Sequence, residues 1–257
     1  MTTDEGKLKE IKKAAEIIVD SSYLACLTGA GISVESGIRP FRGPGGLWTE
    51  KGEPSMDGYQ RFLDDPEAYW ERRIRRESEF ASTILNSKPN PGHFALAELE
   101  KIGILKSLIT QNIDNLHYEA GSENVLEIHG NMLYLRCIEC GEKWNMKEFN
   151  IEDIPPRCPE CNGIIKSDTV MFGEPIPREV LRRCFEEAEK SDCMIVAGTS
   201  ATVAPASSLP FIVKRNDGYL VEANIRPSEI SDLCDVNIEA PSGKSLPLLV
   251  KEIKTLL

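Results

Sequence analysis

Eight cysteines occur in the chain, and four of them form two pairs, Cys137-x2-Cys140 and Cys158-x2-Cys161, with 17 residues between the pairs. Each pair offers two thiolates on one tight turn, and the intervening segment folds back to complete a tetrahedron. Two such knuckles at this spacing match the ligand pattern of a zinc ribbon. With cysteine in all four positions the metal keeps no open site, so the one zinc ion expected here is structural rather than catalytic. Cys26, Cys184, Cys193 and Cys234 lie in apolar strand or helix patterns and read as core residues.

A second chemistry is written in LTGAGISVESGIRPFRGPGGLW, residues 27–48, which holds six glycines and the arginines Arg39 and Arg42. Gly29-Ala30-Gly31 directly follows an apolar strand, the context of a dinucleotide-binding turn. Small residues there let backbone N–H groups approach a pyrophosphate, with the Ser33 hydroxyl as a further donor. The Gly-x-Gly-x-x-Gly fingerprint is incomplete, because Val34 stands at the third glycine. The acidic ribose ligand expected about 20 residues on is represented only by Glu50 and Glu53, in a loop. Spacing alone leaves a nucleotide turn and a plain structural turn both open.

Polar residues recur where other strands should end. Gln111, Asn112 and Asp114 follow ILKSLIT, and His129 closes VLEIH beside Gly130. Gly198, Thr199 and Ser200 follow CMIVA, and Asn224 closes YLVEAN. Ligands bind beyond the carboxyl ends of strands in open parallel sheets, and packing gives no reason for polar residues there. Of the three histidines, His93 near a helix start and His117 within a helix read as structural. His129, at a strand end, suits general-base work, since free imidazole titrates near pH ~6.5.

These residues need a frame that brings strand ends together. Leu8, Ile11, Ala15 and Ile18 share one face and predict a helix over 7–20. Strands follow at 23–28, 104–110, 125–129, 193–198 and 219–224. Helices are expected in FALAELEKIG, closed by Gly103, from Pro177 to about Lys190, and in SLPLLVKEIKTLL at the end. Alternating strands and helices predict an α/β fold with a parallel sheet covered on both faces. Two stretches break the rhythm: 39–92, charged and turn-rich, and 135–165, which holds the cysteine quartet. We read them as insertions forming a smaller lobe, beside a large domain of 1–38, 93–134 and 166–257.

Composition narrows the function classes. The 30 basic against 41 acidic residues give a net charge of −11, which argues against nonspecific nucleic-acid binding. It suits a cationic partner such as a lysine-rich peptide, or simply a solvated acidic surface. No apolar signal core opens the sequence and no apolar run is long enough to span a bilayer. Eight cysteines without such a signal point to a reducing, cytoplasmic setting.

GAGISVESGIRPFRG, TQNID, HG, the paired knuckles, FGEP and GTS stand here in the order found in sirtuins, and the resemblance runs from about residue 20 to the C-terminus. It implies an NAD-dependent protein-lysine deacylase with a Rossmann-like large domain and a small lobe of helices and zinc ribbon. By that resemblance Gly29, Ala30, Gly31, Ser33 and Arg42 would serve NAD and its phosphates. Gly198, Thr199 and Ser200 would serve the adenosine half, and Asn224 the adenosine ribose. Gln111 and Asn112 would line the nicotinamide-ribose pocket, Ile38 and Asp114 would face the carboxamide, and Phe41 would cover the reacting ribose. His129, with Asn112 and Asp114, would be catalytic, with the imidazole deprotonating a ribose hydroxyl. The products would be nicotinamide, free lysine and 2′-O-acyl-ADP-ribose. The acylated lysine of a protein or peptide would lie on Val170, Phe172, Gly173 and Glu174.

Two positions depart from the family pattern. Arg39-Pro40 replaces the usual Pro-Asp in the loop. The pair that reads acidic acyl groups, Tyr-x-x-Arg, is represented by Arg73 and Arg76 in WERRIRRE. Removal of acetyl, succinyl or malonyl groups, mono-ADP-ribosyl transfer, and a non-catalytic NAD or acyl-peptide sensor remain distinct readings, and the oligomeric state is not legible. The general base distinguishes the enzymes from the sensor.

Overall fold

The computed structural model of the chain describes residues 4–75 and 79–257. Its elements are α1 (Asp4–Asp20), β1 (Leu24–Thr28), α2 (Leu47–Lys51), α3 (Gly58–Asp64), α4 (Pro66–Arg75), α5 (Glu79–Asn86) and α6 (Pro91–Lys101). β2 (Leu105–Thr110), α7 (Leu116–Glu119), β3 (Val125–Glu127), β4 (Tyr134–Cys137), β5 (Lys143–Asn145) and β6 (Ile165–Ser167) follow. The chain closes with α8 (Arg178–Lys190), β7 (Cys193–Ala197), α9 (Leu209–Arg215), β8 (Tyr219–Asn224), β9 (Val236–Glu239) and α10 (Ser242–Leu256).

β1, β2, β3, β7, β8 and β9 form one parallel sheet in the order β3-β2-β1-β7-β8-β9. LACLT and CMIVA are buried along their whole length, as expected of strands covered on both faces. Successive side chains point to opposite faces. Leu24, Cys26, Ile195 and Val221 pack in one cluster with Ile11 and Ile18 of α1, Leu96 of α6 and Leu249 of α10. Ala25, Leu27, Met194, Val196 and Leu220 pack in the other with Cys184 of α8 and Val213 of α9. The architecture is therefore α/β and Rossmann-like. No helix among the described residues is long and apolar enough to cross a membrane.

Local signals explain the helix ends. Asn90 caps α6, accepting from the Gly92 N–H at 2.9 Å, while His93 Nδ1 accepts the Asn90 N–H at 3.2 Å. The helix stops before Gly103, whose φ of +78° suits glycine. Three readings of the sequence need correction. The third strand ends at Glu127, because the Gly130 N–H turns back to the Glu127 carbonyl. Glu50 does not lie in a loop, since Leu47–Lys51 form α2, whereas Glu53 does. α9 and the edge strand β9 carry no pattern that the sequence reading used.

A second, antiparallel sheet has the order β5-β4-β6; Cys137 ends β4, and the other three cysteines lie in the turns between its strands. Trp70 of α4, fully buried, packs with Leu135 and Ile165 of this sheet and donates from Nε1 to the Ile165 carbonyl at 2.8 Å.

Candidate active site

In the parallel sheet the strand order reverses between β1 and β7, and ligands of such sheets bind in the crevice at that point. The glycine turn sits there. The Gly29 N–H donates to the Ala197 carbonyl at 3.1 Å and the Gly31 N–H to Gly198 at 2.7 Å. A Cβ on Gly31 would lie 2.7 Å from both Cα and O of Gly198, so the two backbones meet only because both residues are glycine. Gly198 itself has φ of +61°. Thr199 Oγ1 accepts from Gln111 Nε2 at 3.0 Å, and its carbonyl accepts from Asn224 Nδ2 at 2.9 Å. Residues expected at the ends of β2, β7 and β8 are thus joined in one hydrogen-bonded line. Ser200 lies beside it, its hydroxyl 2.9 Å from that of Thr202.

Beside this line a small pocket, about 250 Å³ with its mouth, is lined by Ala30, Ser33, Ile38, Phe41, Asn112 and Asp114. Ile84 and Ile113 complete it and were missed from sequence; Ile113, between Asn112 and Asp114, was the findable one. Ser33 donates to Asp114 Oδ2 at 2.6 Å, and Asn112 Nδ2 donates to Ser33 Oγ at 3.1 Å and the Gly29 carbonyl at 3.2 Å. Burial pushes the Asp114 carboxyl up from its ordinary value, opposed by the Ser33 hydroxyl and the Leu116 N–H. Deeper still, His117 Nε2 lies 2.9 Å from Thr28 Oγ1, and His93 Nε2 lies 3.4 Å from Ser33 Oγ. Burial lowers both imidazoles, His93 to about 4, and keeps them neutral.

His129 stands just past β3, with Nδ1 3.2 Å from the Gln111 carbonyl. A carbonyl accepts only, so Nδ1 carries the proton and Nε2 is the basic nitrogen. Burial lowers its pKa, and the carbonyl partly restores it. Gly130 then turns with φ of +74°, where a Cβ would come 2.0 Å from the Asp168 carbonyl.

The loop 39–53 is held by local contacts. Phe41 stacks on Trp48 at 4.6 Å, and Trp48 meets Phe172 edge-on at 5.4 Å. The Arg42 guanidinium lies 4.6 Å over the Trp48 ring and pairs with Glu53 at 2.9 Å. Arg39 donates twice to the Gly45 carbonyl, at 3.0 and 2.9 Å, and pairs with Glu50. The unusual Arg39 therefore ties the loop to itself. Val170 donates its N–H to the His129 carbonyl at 2.9 Å, and Gly173, φ +80°, turns where a Cβ would meet Met56 O at 2.3 Å. The Glu174 carboxylate is buried in ion pairs. Arg73 donates to Met146 Sδ at 3.3 Å, against the ribbon and not in the pocket. Arg76 lies outside the described residues.

The four ribbon thiols come within 4.8 Å of one another, and the Cys137–Cys161 and Cys140–Cys158 sulfurs are 3.5 and 3.6 Å apart. Tetrahedral zinc with Zn–S near ~2.3 Å needs sulfurs about 3.8 Å apart. The quartet fits one ion, held by thiolates alone.

A family model described as the Sir2 family matches residues 29–205. The chain belongs to the Sir2 family. It is 43% identical to an NAD-dependent protein deacylase of Pyrococcus furiosus over 250 residues, 94% of this chain and 97% of the relative. A Sir2 homologue variant in complex with 2′-O-acetyl ADP ribose is similar with a TM-score of 0.80 and 38% identity, over 95% of this chain and 97% of that one. A Sir2 protein bound to a myristoylated histone peptide gives 0.72 and 38%, over 96% and 98%.

Proposed function

We propose that the protein is an NAD-dependent protein-lysine deacylase, acting chiefly as a deacetylase. The observation that carries this reading is one arrangement. A tight glycine turn at the switch point, a buried Ser33–Asn112–Asp114 triad and a neutral imidazole with a free Nε2 share one sheet edge. Residues 1–38, 93–134 and 166–257 form the nucleotide-binding domain, and 39–92 with 135–165 the small lobe.

NAD supplies a cationic leaving group, nicotinamide, and an electrophilic ribose carbon. Ala30 and Arg42 hold its phosphate end, which requires Arg42 to leave Glu53. Gly29 and Gly31, whose N–H groups are bonded to the Ala197 and Gly198 carbonyls, let the turn come close, and Ser33, which donates to Asp114, lines the nicotinamide side. Gly198, Thr199, Ser200 and Asn224 hold the adenosine half. Gln111 and Asn112 orient the reacting ribose, Ile38 and Asp114 face the carboxamide, and Phe41 excludes water. The acyl carbonyl oxygen displaces nicotinamide from the ribose carbon. His129 Nε2 takes a ribose hydroxyl proton so that this oxygen bonds the acyl carbon, and water completes release of the lysine amine; such a base contributes ~10²–10⁴-fold. Val170, Phe172, Gly173 and Glu174 form the peptide edge. An acylated lysine is neutral and enters an apolar passage without the several kcal/mol that a buried ammonium costs. Zinc, when bound, holds the ribbon strands together. Eight cysteines, four of them placed to ligate zinc as thiolates, support a reducing, cytoplasmic setting.

The test is mass spectrometry of protein, NAD and matched peptides bearing acetyl-, succinyl- or unmodified lysine. Acetyl loss matched by O-acetyl-ADP-ribose supports the reading. ADP-ribose on protein with no acyl loss would replace it with ADP-ribosyl transfer.

A further inference from the structure

Residues 170–174 rest on a buried cluster of charges that the chemistry does not use. Arg136 of β4 and Lys166 of β6 are direct cross-strand partners. Two cations so placed repel, and their side chains are only 10% and 0% exposed. Glu174 answers both: Oε1 accepts from Arg136 Nη2 at 2.6 Å and Oε2 from Lys166 Nζ at 3.0 Å. Asp168 takes the other side of Arg136 at 2.9 Å and also pairs with Lys143 at 2.8 Å. Lys166 directs its remaining hydrogens to the carbonyls of Ser167 and Thr169, at 2.7 and 2.8 Å.

The same Glu174 Oε2 accepts the Met171 N–H at 2.9 Å, and the Glu174 N–H donates to the Met171 carbonyl at 3.0 Å. The turn 171–174 is thus closed from inside by a carboxylate that two cations of the antiparallel sheet hold. Outward, the Val170 N–H bonds the His129 carbonyl, and the Phe172 ring meets Trp48.

We propose that Arg136 and Lys166 are positioning residues for the acyl-peptide, fixing through Glu174 the turn against which that peptide pairs. The inference rests on the deacylase reading, in which 170–174 is the peptide edge. It also gives the ribbon a route to substrate affinity, because Arg136 is the neighbour of the zinc ligand Cys137. Leaving buried charges half-paired is costly, so a neutral residue at 174 makes the turn yield.

The experiment uses the zinc-loaded full chain with acetyl-lysine peptide and NAD, comparing wild type with Glu174→Gln, Lys166→Met and the double variant. Each single variant should raise the peptide KM by about ten-fold or more, with NAD Kd and bound zinc unchanged; the double should rise by less than the product of the two. Unchanged peptide KM, or peptide KM, NAD Kd and zinc content worsening together, overturns the positioning role. If a single variant does not fold, a double variant with wild-type peptide KM overturns it equally. A wild-type protein that removes no acyl group overturns the deacylase reading instead.

Discussion

Gly31→Ala tests the contact on which the nucleotide turn depends. The added Cβ would face Gly198 backbone atoms at 2.7 Å, against 3.4 Å for an ordinary contact, so one backbone must retreat by about 0.7 Å. Neither can do so freely, since the Gly31 N–H is bonded to the Gly198 carbonyl and Gly198 begins the turn after β7. Overpacking of this kind costs ~1–3 kcal/mol, and each kcal/mol lowers Tm by about 2–4 °C in a chain of this size. NAD affinity falls only by strain that binding adds: where the free variant relaxes by shifting the turn and NAD needs it back in place, affinity drops by up to about 5- to 150-fold. Calorimetric unfolding and NAD titration read both effects. Gly103→Ala is the control: φ of +78° strains an alanine, but nothing lies within 4 Å and the residue is remote from the turn. It should lower Tm and leave NAD affinity alone. A Gly31→Ala protein with unchanged Tm and NAD Kd would refute the close-packing argument.

Further outcomes follow from the site. His129→Ala should cut turnover by ~10²–10⁴-fold and leave NAD Kd unchanged by titration. The base must be neutral and burial lowers its pKa in the free protein, so kcat/KM should rise with pH through a midpoint below the ordinary imidazole value of about 6.5. Chelation of the ribbon metal should make residues 137–161 more open to limited proteolysis, because the four thiolates tie the two knuckles to each other through the ion. Arg73→Ala should change the acetyl-to-succinyl ratio of kcat/KM by less than about three-fold, since its guanidinium rests on Met146.

What could be read from sequence was what is local. The paired knuckles have a fixed spacing, and LACLT and CMIVA are unbroken apolar runs; both appear where expected. The capping of α6 by Asn90 and the turn at Gly103 are equally local. The rest depends on distant pairs. Thr28 with His117, Ser33 with Asp114, and Arg136 with Glu174 are separated by 89, 81 and 38 positions, and no spacing rule links them. Ile84 reaches the pocket from a helix otherwise read as part of a charged insertion. The edge strand β9 is short and half-exposed, so VNIE carries too little pattern to stand out.

Deacylation coupled to NAD cleavage is tested by counting molecules: nicotinamide released and acyl groups removed, in one reaction of wild-type protein with NAD and acetyl-lysine peptide. One nicotinamide should appear per acetyl group, with an equal amount of O-acetyl-ADP-ribose, and no acetyl should be lost without NAD. Acetyl loss independent of NAD, or nicotinamide release without acetyl loss, would contradict that coupling.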